Sequence, residues 1–130
     1  MKIPKKIITE LFIHAAAEAP LEACGYLGGK DGTITRLFKL TNTDQSQIHF
    51  SFDPKEQFQV VKTARKEGSD LLAVYHSHPE TPARPSEEDI RLAYDSSVIY
   101  IIVSLAEGQN TIKAFKIKEE NVSEEPIEII

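Results

Sequence analysis

Residues 70–89 read "DLLAVYHSHPETPARPSEED". The first nine, "DLLAVYHSH" (70–78), form a near-continuous apolar run that closes on two histidines. That is the pattern of a central β-strand covered on both faces. The next seven, "PETPARP" (79–85), hold three prolines. Each lacks an N–H donor and holds φ near one value, so this stretch is neither helix nor inner strand. Ser86 then opens a helix that the pattern carries to about residue 96. A buried strand, a stiff loop and a helix in succession point to an α/β fold.

The rest of the chain fits around this unit. "KKIITELFIHAAAEA" (5–19) places Ile7, Ile8, Leu11, Phe12, Ala15 and Ala19 at helical spacing, and Pro20 ends the helix. His14 lies beside that apolar stripe with no second ligand type at helical spacing, so it reads as a helix-boundary histidine. "ACGYLGG" (23–29), the turn "KDG" and "TITRLFKLTN" (33–42) read as a β-hairpin. "QIHFSF" (47–52) alternates as a third strand, with His49 on its polar side and given no role. Asp53 as N-cap, Pro54 at the first helical position and Glu56 behind them start a second helix. Its expected core face is Phe58, Val61 and Ala64, and Gly68 ends it. "VIYIIVSLAE" (98–107) is a second buried strand, and "TIKAFKIK" (111–118) alternates as a half-exposed one.

Composition bounds the partners. The 130 residues suffice for one domain with a real core. Fifteen Lys and Arg against 20 Asp and Glu give a net charge of −5, with no basic run, so no nucleic-acid partner is expected. No apolar stretch reaches membrane-helix length, and "MKIPKKIITE" has no apolar core of a secretory signal. A cytoplasmic protein is therefore expected, not a membrane-bound one. The single Cys24 cannot form an internal disulfide and reads as a small buried apolar residue. Residues 119–130, "EENVSEEPIEII", carry five glutamates and no base. They read as a solvated acidic tail beyond a domain of residues 1–118, with "IEII" able to add a short strand. The first helix or that tail could serve a homodimer.

The chemistry gathers at the end of the run. Side chains two apart on a strand share a face, so His76 and His78 project together with Ser77 opposite. Asp89 is in the first turn of the following helix. Two imidazoles beside a carboxylate suit a divalent ion such as Zn²⁺, with water at the open position. Yet Ser86 and Asp89 also form S-x-x-D, the spacing of a helix capping box, and spacing alone leaves both readings open. A hydrolytic site would further need a base. Glu80, Glu87, Glu88 and Glu22 are all available, and nothing local to "PLEACGYLGG" makes Glu22 the choice. Arg84, in the loop, would reach a substrate carboxylate or simply face water.

Taken together, "PLEACGYLGG" and "HSHPETPARPSEED" resemble the JAMM (MPN-plus) metallopeptidase family. Its pattern is a glutamate, then at a distance H-[S/T]-H, seven residues and S-x-x-D. Glu22, His76-Ser77-His78, residues 79–85 and Ser86 to Asp89 match at every position, and the E-x-C-G form is most similar to short prokaryotic members. The resemblance implies a single-domain α/β fold, a curved mixed sheet flanked by helices as in cytidine deaminases. It implies Zn²⁺ held by His76, His78 and Asp89, Glu22 as general acid/base and Ser86 as the oxyanion donor. It also implies hydrolysis of a peptide or isopeptide bond at the C-terminal tail of a ubiquitin-like protein. The chain is too short for the insertions with which eukaryotic members grip ubiquitin, so the implied substrate is a ubiquitin-like sulfur-carrier protein. The alternatives are a non-catalytic scaffold of the same fold, which is known from members that have lost ligands, and a nucleobase deaminase. The deaminase pattern needs H-x-E and P-C-x-x-C, which a single cysteine cannot supply.

Overall fold

The computed structural model describes residues 1–130. Its centre is an eight-stranded mixed sheet with the order β7-β6-β5-β4-β2-β3-β1-β8. The strands are β1 (Lys2–Ile3), β2 (Cys24–Lys30), β3 (Thr33–Leu40), β4 (Asp70–His78), β5 (Ile99–Ser104), β6 (Thr111–Lys118), β7 (Asn121–Glu125) and β8 (Glu128–Ile129). The helices are α1 (Lys5–Glu18), α2 (Pro54–Glu67) and α3 (Glu87–Arg91). None is long and apolar enough to cross a membrane.

The apolar run of residues 70–78 is β4, and its place explains its composition. It pairs antiparallel with β2 and parallel with β5, in the middle of the sheet. Both faces are covered. Ala73 and Tyr75 join Ile101 and Val103 of β5 and Ile7, Ile8, Leu11 and Ala15 of α1 in the main core. On the opposite face α2 packs Val60 and Ala64 against Cys24, Phe38 and Leu40. Beside them Ile102, Phe115 and Ile117 meet Ala83 of the proline loop and Ile90 of α3. α1 thus occupies one face, and α2 and α3 share the other. His14 is buried in α1 and pairs through Nδ1 with the Tyr75 hydroxyl at 2.8 Å, so it ties helix to sheet. Burial holds its pKa below the ordinary histidine value.

Several expectations are corrected. Residues 47–52 are not a strand; they belong to a loop whose one ladder-type pairing is an isolated Asn42–Phe52 bridge. The Asn42 side chain organises this loop in place of a ladder. It donates to the carbonyls of Glu22 and His49 and accepts from the N–H groups of Asp44 and Ser51. In α2 the buried positions are Val60 and Ala64, whereas Phe58 is 61% exposed and lies beside Lys62. Ala64 is on the core face as expected, and Val60 replaces Phe58 and Val61 there because Cys24, Phe38 and Leu40 offer the surface it meets. α3 ends after Arg91, and the pattern to residue 96 fails because Asp95 and Tyr100 bond each other through the Asp95 backbone N–H and C=O. β5 stops at Ser104, before a 3-10 turn at Ala106–Gly108. The acidic segment adds β7 to the edge of β6, with side chains still mostly in water, and β8 lies parallel to β1.

Gly25 faces Tyr75 across the β2–β4 pair, and a Cβ there would lie 2.6 Å from the tyrosine hydroxyl. Overpacking at such a point typically costs about 1–3 kcal/mol. Gly25→Ala is therefore expected to lose about that much stability in urea denaturation; an unchanged midpoint would contradict this packing.

Candidate metal centre

The register of the β2–β4 pair brings the two distant segments together. Cys24 lies opposite His76, Gly25 opposite Tyr75 and Tyr26 opposite Val74. One step beyond the strand, Ser77 N–H donates to the Ala23 carbonyl at 2.9 Å. Ala23 N–H in turn donates to the Ser77 hydroxyl at 2.7 Å. Continuing the register places Glu22 across from His78. Side chains alternate along a strand, so Glu22, Cys24, His76 and His78 all face the α2–α3 side. Ser77 and the Asn42 bond to the Glu22 carbonyl hold this backbone in place. Neither was identified in the sequence, where Ser77 pointed away from the histidines and Asn42 read as the last residue of a hairpin strand.

The loop and α3 return Asp89 to the histidines. The loop is tied down by Ser104 Oγ donating to the Thr81 carbonyl at 2.6 Å and by buried Ala83. Ser86 and Asp89 do form the capping box: Ser86 Oγ accepts from Asp89 N–H at 3.0 Å, and Asp89 Oδ2 accepts from Ser86 N–H at 2.9 Å. The same Oδ2 lies 3.2 Å from His76 Nε2 and 3.0 Å from His78 Nε2. The capping box and the triad are thus one construction, so the cap leaves the metal reading open. Burial opposes the Asp89 charge, but the two histidines and Ser86 N–H outweigh it and hold the carboxyl far below its usual range. Burial alone would lower the His78 pKa; the Asp89 bond and the Pro82 carbonyl reverse this and raise it.

These donors fit a metal ion. The three ligand atoms of His76, His78 and Asp89 lie within 4.8 Å of one another. His78 Nδ1 is 2.9 Å from the Pro82 carbonyl, which can only accept. Nδ1 therefore carries a proton, so Nε2, the nitrogen that faces Asp89 and His76, is the one whose deprotonation would free a lone pair for a metal. His76 stacks on Phe50 with ring centroids 4.9 Å apart and is locked in orientation. The phenylalanine comes from the loop mistaken for a strand, so its part in the site was not legible. Glu22 is 2% exposed, and its Oε1 is buried with no hydrogen-bond partner. Burial, opposed by His78 and reinforced by Asp89 and Glu88, pushes its pKa up to about 8. A buried carboxyl without a partner, beside converging nitrogen and oxygen donors, suits proton transfer at a metal site.

Two cavities open on this group. One, of about 480 Å³, is lined by His76, Asp89 and the aromatic rings of Phe50, Phe52, Tyr94 and Tyr100. The other, of about 190 Å³, is lined by Glu22, His78, Ser86 and loop residues that include Glu80. All five residues singled out in the sequence, Glu22, His76, His78, Ser86 and Asp89, therefore border one centre. His49 borders the larger cavity and pairs with Asp44 at 2.9 Å. Burial pushes the Cys24 thiol up to about 12, so it is no nucleophile at neutral pH.

The chain is also similar to known proteins. The family profile described as prokaryotic homologs of the JAB domain matches residues 4–118. The chain is 34% identical to the probable TtuB-protein conjugate cleaving protease of Thermus thermophilus, over 90% of this chain and 76% of that one. It is 29% identical to the CysO-cysteine peptidase of Mycobacterium tuberculosis, over 95% of this chain and 87% of that one. A solution structure of a Desulfitobacterium hafniense protein superposes with a TM-score of 0.91 at 47% identity, covering 99% and 92% of the two chains.

The raised Glu22 pKa has a measurable sign. The folded state keeps this proton to about pH 8, while the unfolded chain releases it near 4.5. Stability is therefore lost as pH rises between those values. In chelator-treated protein, Glu22→Gln is expected to match the wild type near pH 4. It should exceed the wild type above pH 8 by more than about 1.4 kcal/mol, the worth of one pKa unit. A difference that does not vary with pH would contradict the buried, unpartnered state of Glu22.

Proposed function

The chain belongs to the prokaryotic homologs of the JAB domain and is a hydrolase, and from that premise we propose that it is a zinc metallopeptidase. Its substrate is the C-terminal tail of a ubiquitin-like protein, of sulfur-carrier type, linked by a peptide or isopeptide bond. The observation that carries this reading is the buried, unpartnered Glu22 carboxyl beside the converging donors of His76, His78 and Asp89. The relatives named for CysO-cysteine and for TtuB-protein conjugates support the substrate class.

His76, His78 and Asp89 would hold the zinc ion. The donor set, two nitrogens and one carboxylate oxygen, is one that zinc takes at catalytic sites with a position left open. When bound, zinc supplies a Lewis acid that polarises the scissile carbonyl and makes water acidic near neutral pH. Glu22 takes the proton of the attacking water and returns it to the departing amine, which leaves neutral. Its dry surroundings favour both transfers, because neither form of the carboxyl is held by another partner. Ser86 serves twice. Its oxygen accepts from Asp89 N–H, which leaves the hydroxyl proton free to meet the charge that develops on the substrate oxygen. The Asp89 carboxylate, gripped by Ser86 N–H and both imidazoles, keeps the ligands turned inward. No observation favours the scaffold reading, since the set of functional positions is complete.

The test is hydrolysis of tail-extended and lysine-linked sulfur-carrier proteins by zinc-loaded enzyme, followed by mass. Cleavage after the terminal glycine of the carrier is expected. Glu22→Gln should lower kcat by about 10²- to 10⁴-fold, the usual contribution of a general acid/base, while the protein still binds one zinc ion. Equal cleavage by Glu22→Gln, or none by the wild type across the panel, would overturn the proposal.

A further inference from the structure

The charges around the two cavities carry a statement about the leaving group. The smaller cavity, which Glu22, His78 and Ser86 border, also has Glu80 on its wall, and no lysine or arginine lines it. The larger cavity has Glu88 and Asp89 on its wall and likewise no lysine or arginine. Arg84, the loop cation that the sequence offered as a contact for a substrate carboxylate, lines neither cavity.

The leaving amine must meet the Glu22 carboxyl to receive its proton, so the leaving side occupies the smaller cavity. A single amino acid released from a chain end carries its carboxylate one carbon from that amine. In this cavity such a carboxylate would face Glu80 with no lysine or arginine to offset it, the charge of a bound zinc ion being already balanced by Asp89 and Glu22. An amine that belongs to another protein has no free carboxylate on its adjacent carbon. A lysine side chain joined by an isopeptide bond presents four methylenes, and Pro20, Ile48 and Pro79 give the cavity apolar walls for them.

We propose that Glu80 and a smaller cavity without lysine or arginine make this site selective for leaving groups that lack a free carboxylate, and that Glu80 is the residue that sets this preference. The inference rests on the proposed function. It predicts removal of the carrier from protein amines in preference to trimming of a single terminal residue.

The test uses three substrates that share one tail ending in Gly-Gly. The tail is joined to the Nε of acetyl-lysine amide, to alanine amide or to alanine with a free carboxylate. The alanine pair has the same shape and differs only in charge. The free acid is expected to have a kcat/KM lower than the amide by roughly three- to fivefold, the scale of one exposed like-charge pair. That gap should shrink in high salt, close in Glu80→Gln and reverse in Glu80→Lys. Equal or faster cleavage of the free acid, or a gap that Glu80→Lys leaves unchanged, would overturn the inference. Should no substrate be cleaved, the proposed function fails, and binding decides the inference separately. Backbone amide shifts of Gln47, Ile48 and Thr81 are followed as zinc-loaded protein is titrated with acetyl-lysine amide and with acetyl-lysine. Tighter binding of the amide supports the inference; equal or tighter binding of the acid overturns it.

Discussion

Everything at this centre depends on the pairing of Ala23 with Ser77. The two residues are 54 positions apart in the chain, yet they exchange two hydrogen bonds, one through the Ser77 backbone and one through its hydroxyl. The hydroxyl takes the place of a ladder carbonyl where β2 begins, and Ser77 is 1% exposed, so the bond is shielded from water. Shift this pairing by one residue and Glu22 would turn to the α1 face, away from both histidines. The register is protected further along the strands, where Gly25 leaves room for Tyr75 and Tyr75 is fixed by His14. A hydrogen-bonded pair on the α1 face thus guards the geometry of the face that carries the chemistry.

The centre is costly to build, and the local structure shows how that cost is contained. Three charged or polar side chains and an unpartnered carboxyl are packed where water is nearly excluded. Asp89 is supported by the N-terminus of α3, where an acid is favoured, and by two imidazoles. His78 is steadied by the Pro82 carbonyl, and the proline loop that supplies it is itself anchored to β5 through Ser104. Glu22 alone has no such support, and its pKa rises accordingly. Sites that violate the rule of satisfied buried groups are commonly the functional ones.

The sequence was informative where one element decides its own structure. The apolar run of β4, the prolines after it and the histidines two apart fixed the face and the end of the strand before any tertiary contact was known. The Asp53 cap and the Gly68 stop likewise bounded α2. Where the partner decides, the sequence was silent or misleading. Phe58, Val61 and Ala64 looked like the core face of α2; Ala64 is buried, but the surface offered by β2 and β3 selected Val60 in place of the other two. "QIHFSF" alternates like a strand, yet Asn42 satisfies its backbone as a loop and Phe50 packs on His76. α3 is shorter than its pattern because Tyr100 captures the backbone of Asp95. In the site, the spacing of His76, His78 and Asp89 was legible, while Glu22 was indicated only by resemblance. Its role depends on a strand register that no local pattern encodes.

The most direct measurement is a crystal structure of the zinc-loaded protein with anomalous diffraction at the zinc edge. The account predicts a single strong peak bonded to His76 Nε2, His78 Nε2 and a carboxylate oxygen of Asp89, with the Glu22 carboxyl facing the ion across a water molecule and not bonded to it. A peak elsewhere on the molecule, or Glu22 turned away from the three donors, would contradict it.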